Sequence, residues 1–70
     1  MNGKILANIL NDIHSGMVVL NTKSGTSYTF NITNEDEQYS FNDKDLSVIC
    51  LDTETGTKWV DVSSIESIEL

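Results

Sequence analysis

Apolar residues at the start of the chain recur at helical spacing. Ile5, Leu6, Ile9, Leu10 and Ile13 fall on one stripe, which predicts an amphipathic helix over about residues 3–14. Asn2 is placed to cap its start, and Gly16 to end it in a left-handed conformation. Asn8 and Asn11 are weak interior residues, Lys4 stands at the positive end of the macrodipole and Asp12 at the negative end. So short a helix with these faults must dock to persist.

From Met17 the period changes from 3.6 to 2. Met17 to Thr22 reads as a strand, Lys23-Ser24-Gly25-Thr26 as a turn in which Gly25 supplies a positive φ, and Ser27 to Thr33 as a second strand with Tyr28, Phe30 and Ile32 on one face. Asn34 to Gln38 is a polar, acidic loop, and Tyr39-Ser40-Phe41 begins a short third strand. Leu46 to Asp52 is apolar on both faces, as in a central strand. After the turn Thr53-Glu54-Thr55-Gly56, Thr57 to Val62 forms a further strand, and Ile65, Ile68 and Leu70 mark the last. No second helix is available for a parallel crossover, so the pairings should be antiparallel.

The chain has 70 residues, enough for one domain (1–70) with a modest core. A domain of that size buries only about 60% of the surface its unfolded chain exposes, so stability should be thin and self-association is expected. One cysteine, Cys50, excludes an internal disulfide, and no Cys/His spacing implies zinc. The absence of a signal pattern and of a long apolar run leads to the expectation of a cytoplasmic protein that does not cross a membrane. Twenty-two Asn, Ser and Thr residues, seven Ile and no Arg or Pro fit the codon bias of an AT-rich phage or low-GC bacterium.

The helix, the glycine-turned hairpin, the middle strands and the closing run from Trp59 to Leu70 resemble, over essentially the whole chain, the SH3-like and Sm-like small β-barrels. The resemblance implies a mainly β fold, an N-terminal α-helix followed by a five-stranded barrel over about 17–70, with a 3₁₀ turn within Val60 to Ile65. Gly25 falls where Sm-like proteins keep a hairpin glycine, and Ile65 and Ile68 where they keep closing-strand apolar residues. The Sm-like RNA-binding segments have no match: the middle loop here is Asp36-Glu37-Gln38-Tyr39-Ser40 and the last loop Val62-Ser63-Ser64. Trp59, Tyr28 and Tyr39 form no SH3 peptide-groove signature either.

No catalytic constellation emerges from the residues. His14 has no nucleophile or second histidine to work with and sits at the predicted helix end, where a cation suits the dipole. Cys50 reads as a buried, inert thiol in an apolar strand. The pairs Asp43 with Asp45 and Asp52 with Glu54, and the run Glu35-Asp36-Glu37, lack calcium-loop spacing and read as solvated faces. Trp59, in an alternating strand, is placed in the core by that pattern, although tryptophan is also the side chain most enriched at interface hot spots.

Charge is the strongest functional signal. The net charge of −7 is unevenly distributed: residues 1–34 hold Lys4 and Lys23 against Asp12, whereas residues 35–70 hold ten acids against Lys44 and Lys58. Such a half repels phosphate and steers basic partners. The reading is a non-catalytic, cofactor-free acidic binding or assembly module that captures a basic protein surface or self-associates, as a phage accessory factor occluding a host protein would. Its candidate partner-binding residues are Glu35, Asp36, Glu37, Asp43, Asp45, Asp52, Glu54 and Trp59. The alternative is an Sm-like ring that binds RNA or a nucleotide at subunit contacts. A small metal-dependent hydrolase acting through Asp43, Asp45, Asp52 and Glu54 ranks third.

Overall fold

The computed structural model describes residues 1–42 and 44–70. A helix α1 (Gly3–Asn11) precedes six strands, β1 (Met17–Thr22), β2 (Ser27–Asn31), β3 (Gln38–Phe41), β4 (Val48–Thr53), β5 (Gly56–Asp61) and β6 (Ile65–Glu69), with a 3₁₀ turn at Val62–Ser64 before the last. The fold is mainly β with one N-terminal helix. Among the described residues the strands form two three-stranded antiparallel sheets, in the orders β2-β1-β6 and β3-β4-β5. Six strands in two separate ladders replace the expected five-stranded closed barrel.

Local acceptors explain the break. The strand expected to reach Thr33 ends at Asn31, because Asn31 Oδ1 accepts from the Thr33 N–H and Asn34 Oδ1 from the Asp36 N–H, at 2.9 Å each. The main-chain oxygens of the same two residues accept from the N–H groups of Asn34 and Glu37. Amides held in such turns are unavailable to a ladder.

The helix starts as its cap predicts and stops early. Asn2 Oδ1 accepts from the N–H of Lys4 at 2.7 Å and of Ile5 at 3.4 Å. At the other end the Asp12 and Ile13 N–H groups reach back three residues, to Ile9 and Leu10, so the last turn tightens and α1 ends at Asn11 rather than residue 14. Gly16 does take a positive φ of 98°. Its role is to lead into β1, with its oxygen accepting from the Ile32 N–H and its own N–H donating to Thr33 Oγ1.

The core is built from one face of each element. Leu6 and Leu10 of α1, Val18 and Leu20 of β1, Phe30 of β2, Ile49 and Leu51 of β4, Val60, Val62 and Ile65 are all buried. In register, Val18 faces Phe30, and Ile49 lies between Phe41 and Val60. Phe30 meets Tyr39 at a ring-centroid distance of 5.8 Å, joining the aromatic rows of the two sheets.

A further difference has a steric cause. The strand expected from Leu46 begins at Val48, since Leu46 has φ of 52°, in the left-handed region where a strand residue does not sit. Opposite it stands Gly3. A Cβ added to Gly3 would lie 2.5 Å from Leu46 Cβ and closer still to the Leu46 carbonyl oxygen.

Gly3 is therefore a close-approach residue. Gly3→Ala should lower stability by about 1–3 kcal/mol through overpacking, against its propensity gain. Asn8→Ala, at an exposed helix position, should raise it by about 0.5 kcal/mol. Thermal unfolding reads both, at roughly 4–8 °C per kcal/mol, and a stabilised Gly3→Ala protein would refute the contact.

Candidate functional site

The central strand β4 separates the candidate acids into groups. Its C-terminal end carries Asp52 and leads to Glu54 in the β4–β5 turn, and the loop holding Glu35, Asp36 and Glu37 meets that turn. Its N-terminal end follows Asp45, with Asp61 paired to Val48. Six strand residues span about 17 Å. Glu66 and Glu69 lie on β6, in the other sheet. Folding thus distributes the described acids around the molecule, and Asp43 lies outside the described residues.

Glu37 binds the first group together. Its Oε1 accepts from the Asn31 N–H at 2.9 Å and its Oε2 from the Glu54 N–H at 3.1 Å, so a single carboxylate fastens the end of β2 to the β4–β5 turn. Asn34 Nδ2 adds a bond to Glu54 Oε1 at 3.1 Å. This gives Glu37 a structural duty that its place in an acidic run did not reveal. Glu35 and Asp36, beside it, are exposed. Glu37 also lines, with Phe30, Ile32, Gln38 and Tyr39, an open notch of about 260 Å³ between β2 and β3.

Trp59 is the residue whose position departs most from expectation. It is 67% exposed on the outer face of β5, not in the core. The alternation of the strand accounts for this, since Val60 is buried and its neighbour must point the other way. Cys50, its cross-strand partner, shares that outer face and is half-buried rather than enclosed. On the same face Thr57 Oγ1 donates to Asp52 Oδ1 at 3.2 Å, while Asp61 Oδ1 accepts from Ser63 N–H and Oγ, capping the 3₁₀ turn.

Other candidates have simpler surroundings. His14 is exposed and lies beyond the end of α1, so the macrodipole argument for it falls away. Among the described residues no three His, Cys, Asp or Glu side chains converge as metal ligands would. No described helix is long and apolar enough to cross a membrane. Comparison with family models, curated proteins and solved structures found no match.

The clip carries a test. Glu37→Gln puts an amide NH₂ where one oxygen accepted a main-chain N–H, and should cost about 1–2 kcal/mol and speed amide exchange at Asn31 or Glu54. Glu35→Gln, on the exposed loop, should stay within about 0.5 kcal/mol. Unchanged exchange in Glu37→Gln would remove the clip from the account.

Proposed function

We propose that the chain is a non-catalytic binding module that captures a basic protein surface. The observation supporting this is the display of charge: Glu35, Asp36, Asp45, Asp52, Glu54, Asp61, Glu66 and Glu69 are all exposed. The only lysines in that half are Lys44 and Lys58, and Lys58 is half-buried, with its Nζ 3.3 Å from Thr55 Oγ1. Acids spread over several faces give a broad negative field rather than a single chelating centre. Such a field raises encounter rates with cationic partners and repels phosphate backbones, which sets the RNA-binding ring below this reading.

The finer description of the fold belongs to the same proposal. The helix, the strand order and the 3₁₀ turn before β6 support a small-barrel plan of the SH3-like or Sm-like kind, opened between β2 and β3.

A short poly-lysine peptide provides the probe. Its affinity should fall several-fold between low salt and 0.5 M salt, where screening shortens the Debye length below about 5 Å. The double variant Glu35→Lys, Asp36→Lys should weaken it further, mainly through the association rate. Binding that ignores ionic strength would sink the electrostatic reading.

A further inference from the structure

The open edge of β5 offers what a charged field alone lacks, a place for a specific chain to lie. β5 pairs only with β4 among the described strands. Two main-chain bonds fix which of its groups are already used: Val62 N–H donates to the Ser47 oxygen, and Asn42 N–H to the Val48 oxygen. In an antiparallel ladder the bonded pairs alternate. Residues 49, 51 and 53 of β4 therefore bond to Val60, Lys58 and Gly56, while residues 48, 50 and 52 turn toward β3. The N–H and C=O groups of Thr57 and Trp59 and the N–H of Asp61 consequently point away from β4, along an edge where all three residues are exposed, while the Asp61 oxygen already accepts from Ser64 Oγ at 2.6 Å.

The side chains of that same row define the occupant. Trp59 stands at its centre, with Asp61 two residues along the strand and Asp52 on the cross-strand diagonal, about 7–8 Å away. An exposed indole flanked by carboxylates suits an alkylammonium or guanidinium on its face. Lys58, the one cation on the strand, is half-buried and turned to the other face, so it does not compete. A second copy is a poorer occupant, because the other edge strands, β2, β3 and β6, contain no lysine to offer Trp59, and β6 carries Glu66 and Glu69.

We propose that the β5 edge captures an extended basic segment of a partner protein as an added strand, with a Lys or Arg side chain of that segment over Trp59. This rests on the basic-partner reading and names its contact. Main-chain pairing would supply the general affinity, and the Trp59 face with its two carboxylates the preference for a basic residue at the central position.

The test uses the full chain, isotope-labelled, with a short peptide alternating arginine and threonine. The expected result is a saturable shift of the Thr57, Trp59 and Asp61 amides together with a change in the fluorescence of Trp59, the only tryptophan. Trp59→Thr, a strand-compatible change at an exposed site, should keep the unfolding temperature within a few degrees and weaken binding about tenfold. N-methylation of alternate peptide residues should abolish it.

Shifts centred on Glu35, Asp36 and Glu54 with β5 unmoved would overturn this inference and leave the basic-partner reading standing. So would equal binding of the N-methylated peptide, or β5 shifts that follow protein concentration without peptide, which would make a second copy the occupant. No salt-sensitive binding to the arginine peptide at all would overturn both.

Discussion

Everything in this small fold depends on two three-stranded sheets burying a single shared core. A three-stranded sheet has one face to hide, and neither sheet here has enough apolar residues to hide its own. Val18, Leu20, Phe30 and Ile65 on one side, with Ile49, Leu51 and Val60 on the other, exclude water only where the sheets meet. Leu6 and Leu10 of the helix complete the core. The helix is short and carries unfavourable end charges, so its folding is a consequence of this docking rather than a preliminary to it. The Gly3 approach to Leu46 shows how close the fit is. Leu46 holds a left-handed backbone, at a cost of roughly 1–2 kcal/mol, and only a residue without a Cβ fits against it.

With the inward positions all taken by the core, the acids have nowhere to go but out. What differs among them is whether they also hold the chain. Glu37 fastens a loop to a turn, and Asp61 caps the 3₁₀ segment. Glu35, Asp36, Glu66 and Glu69 are exposed members of the field. A composition count treats these alike. A carboxylate accepting two main-chain N–H groups is a fixed part of the scaffold, and its removal would read out as lost stability before it read out as lost binding.

Much of this architecture was legible in the residues. Asn2 signalled the helix start, Gly25 the first hairpin, and the alternation of Tyr28, Phe30 and Ile32 the inward face of β2; each depends on local chemistry that a sequence carries. The features that were not legible depend on contacts distant in sequence. Leu46 reads as the first residue of a strand until Gly3 is placed against it. The split between β2 and β3 comes from two asparagines taking the role of ladder partners, and Asn31 to Asn34 carried that signal for a reader looking for side-chain-capped turns. Trp59 was legible as well. Val60 and Val62 have opposite parity to it and are the buried pair, so the alternation that placed Trp59 in the core was assigned to the wrong face.

The exposed edge raises a question of restraint, because an unpaired strand without proline is an invitation to self-pairing. Charge at the edges answers it. Asp61 stands on the β5 edge strand with Asp52 beside it, and of the other edge strands β2 and β3 carry no lysine and β6 carries Glu66 and Glu69, so none of them brings a cation to the β5 edge. A basic partner would. Under the proposed strand capture, one set of carboxylates would do two opposite things: disfavour pairing between copies of the chain, and favour the approach of a basic strand. On this argument the acidic balance is more than a solubility property. In the proposed capture of a basic strand, it is the condition that would keep an open edge bearing an exposed tryptophan ready for a foreign chain rather than for the protein's own.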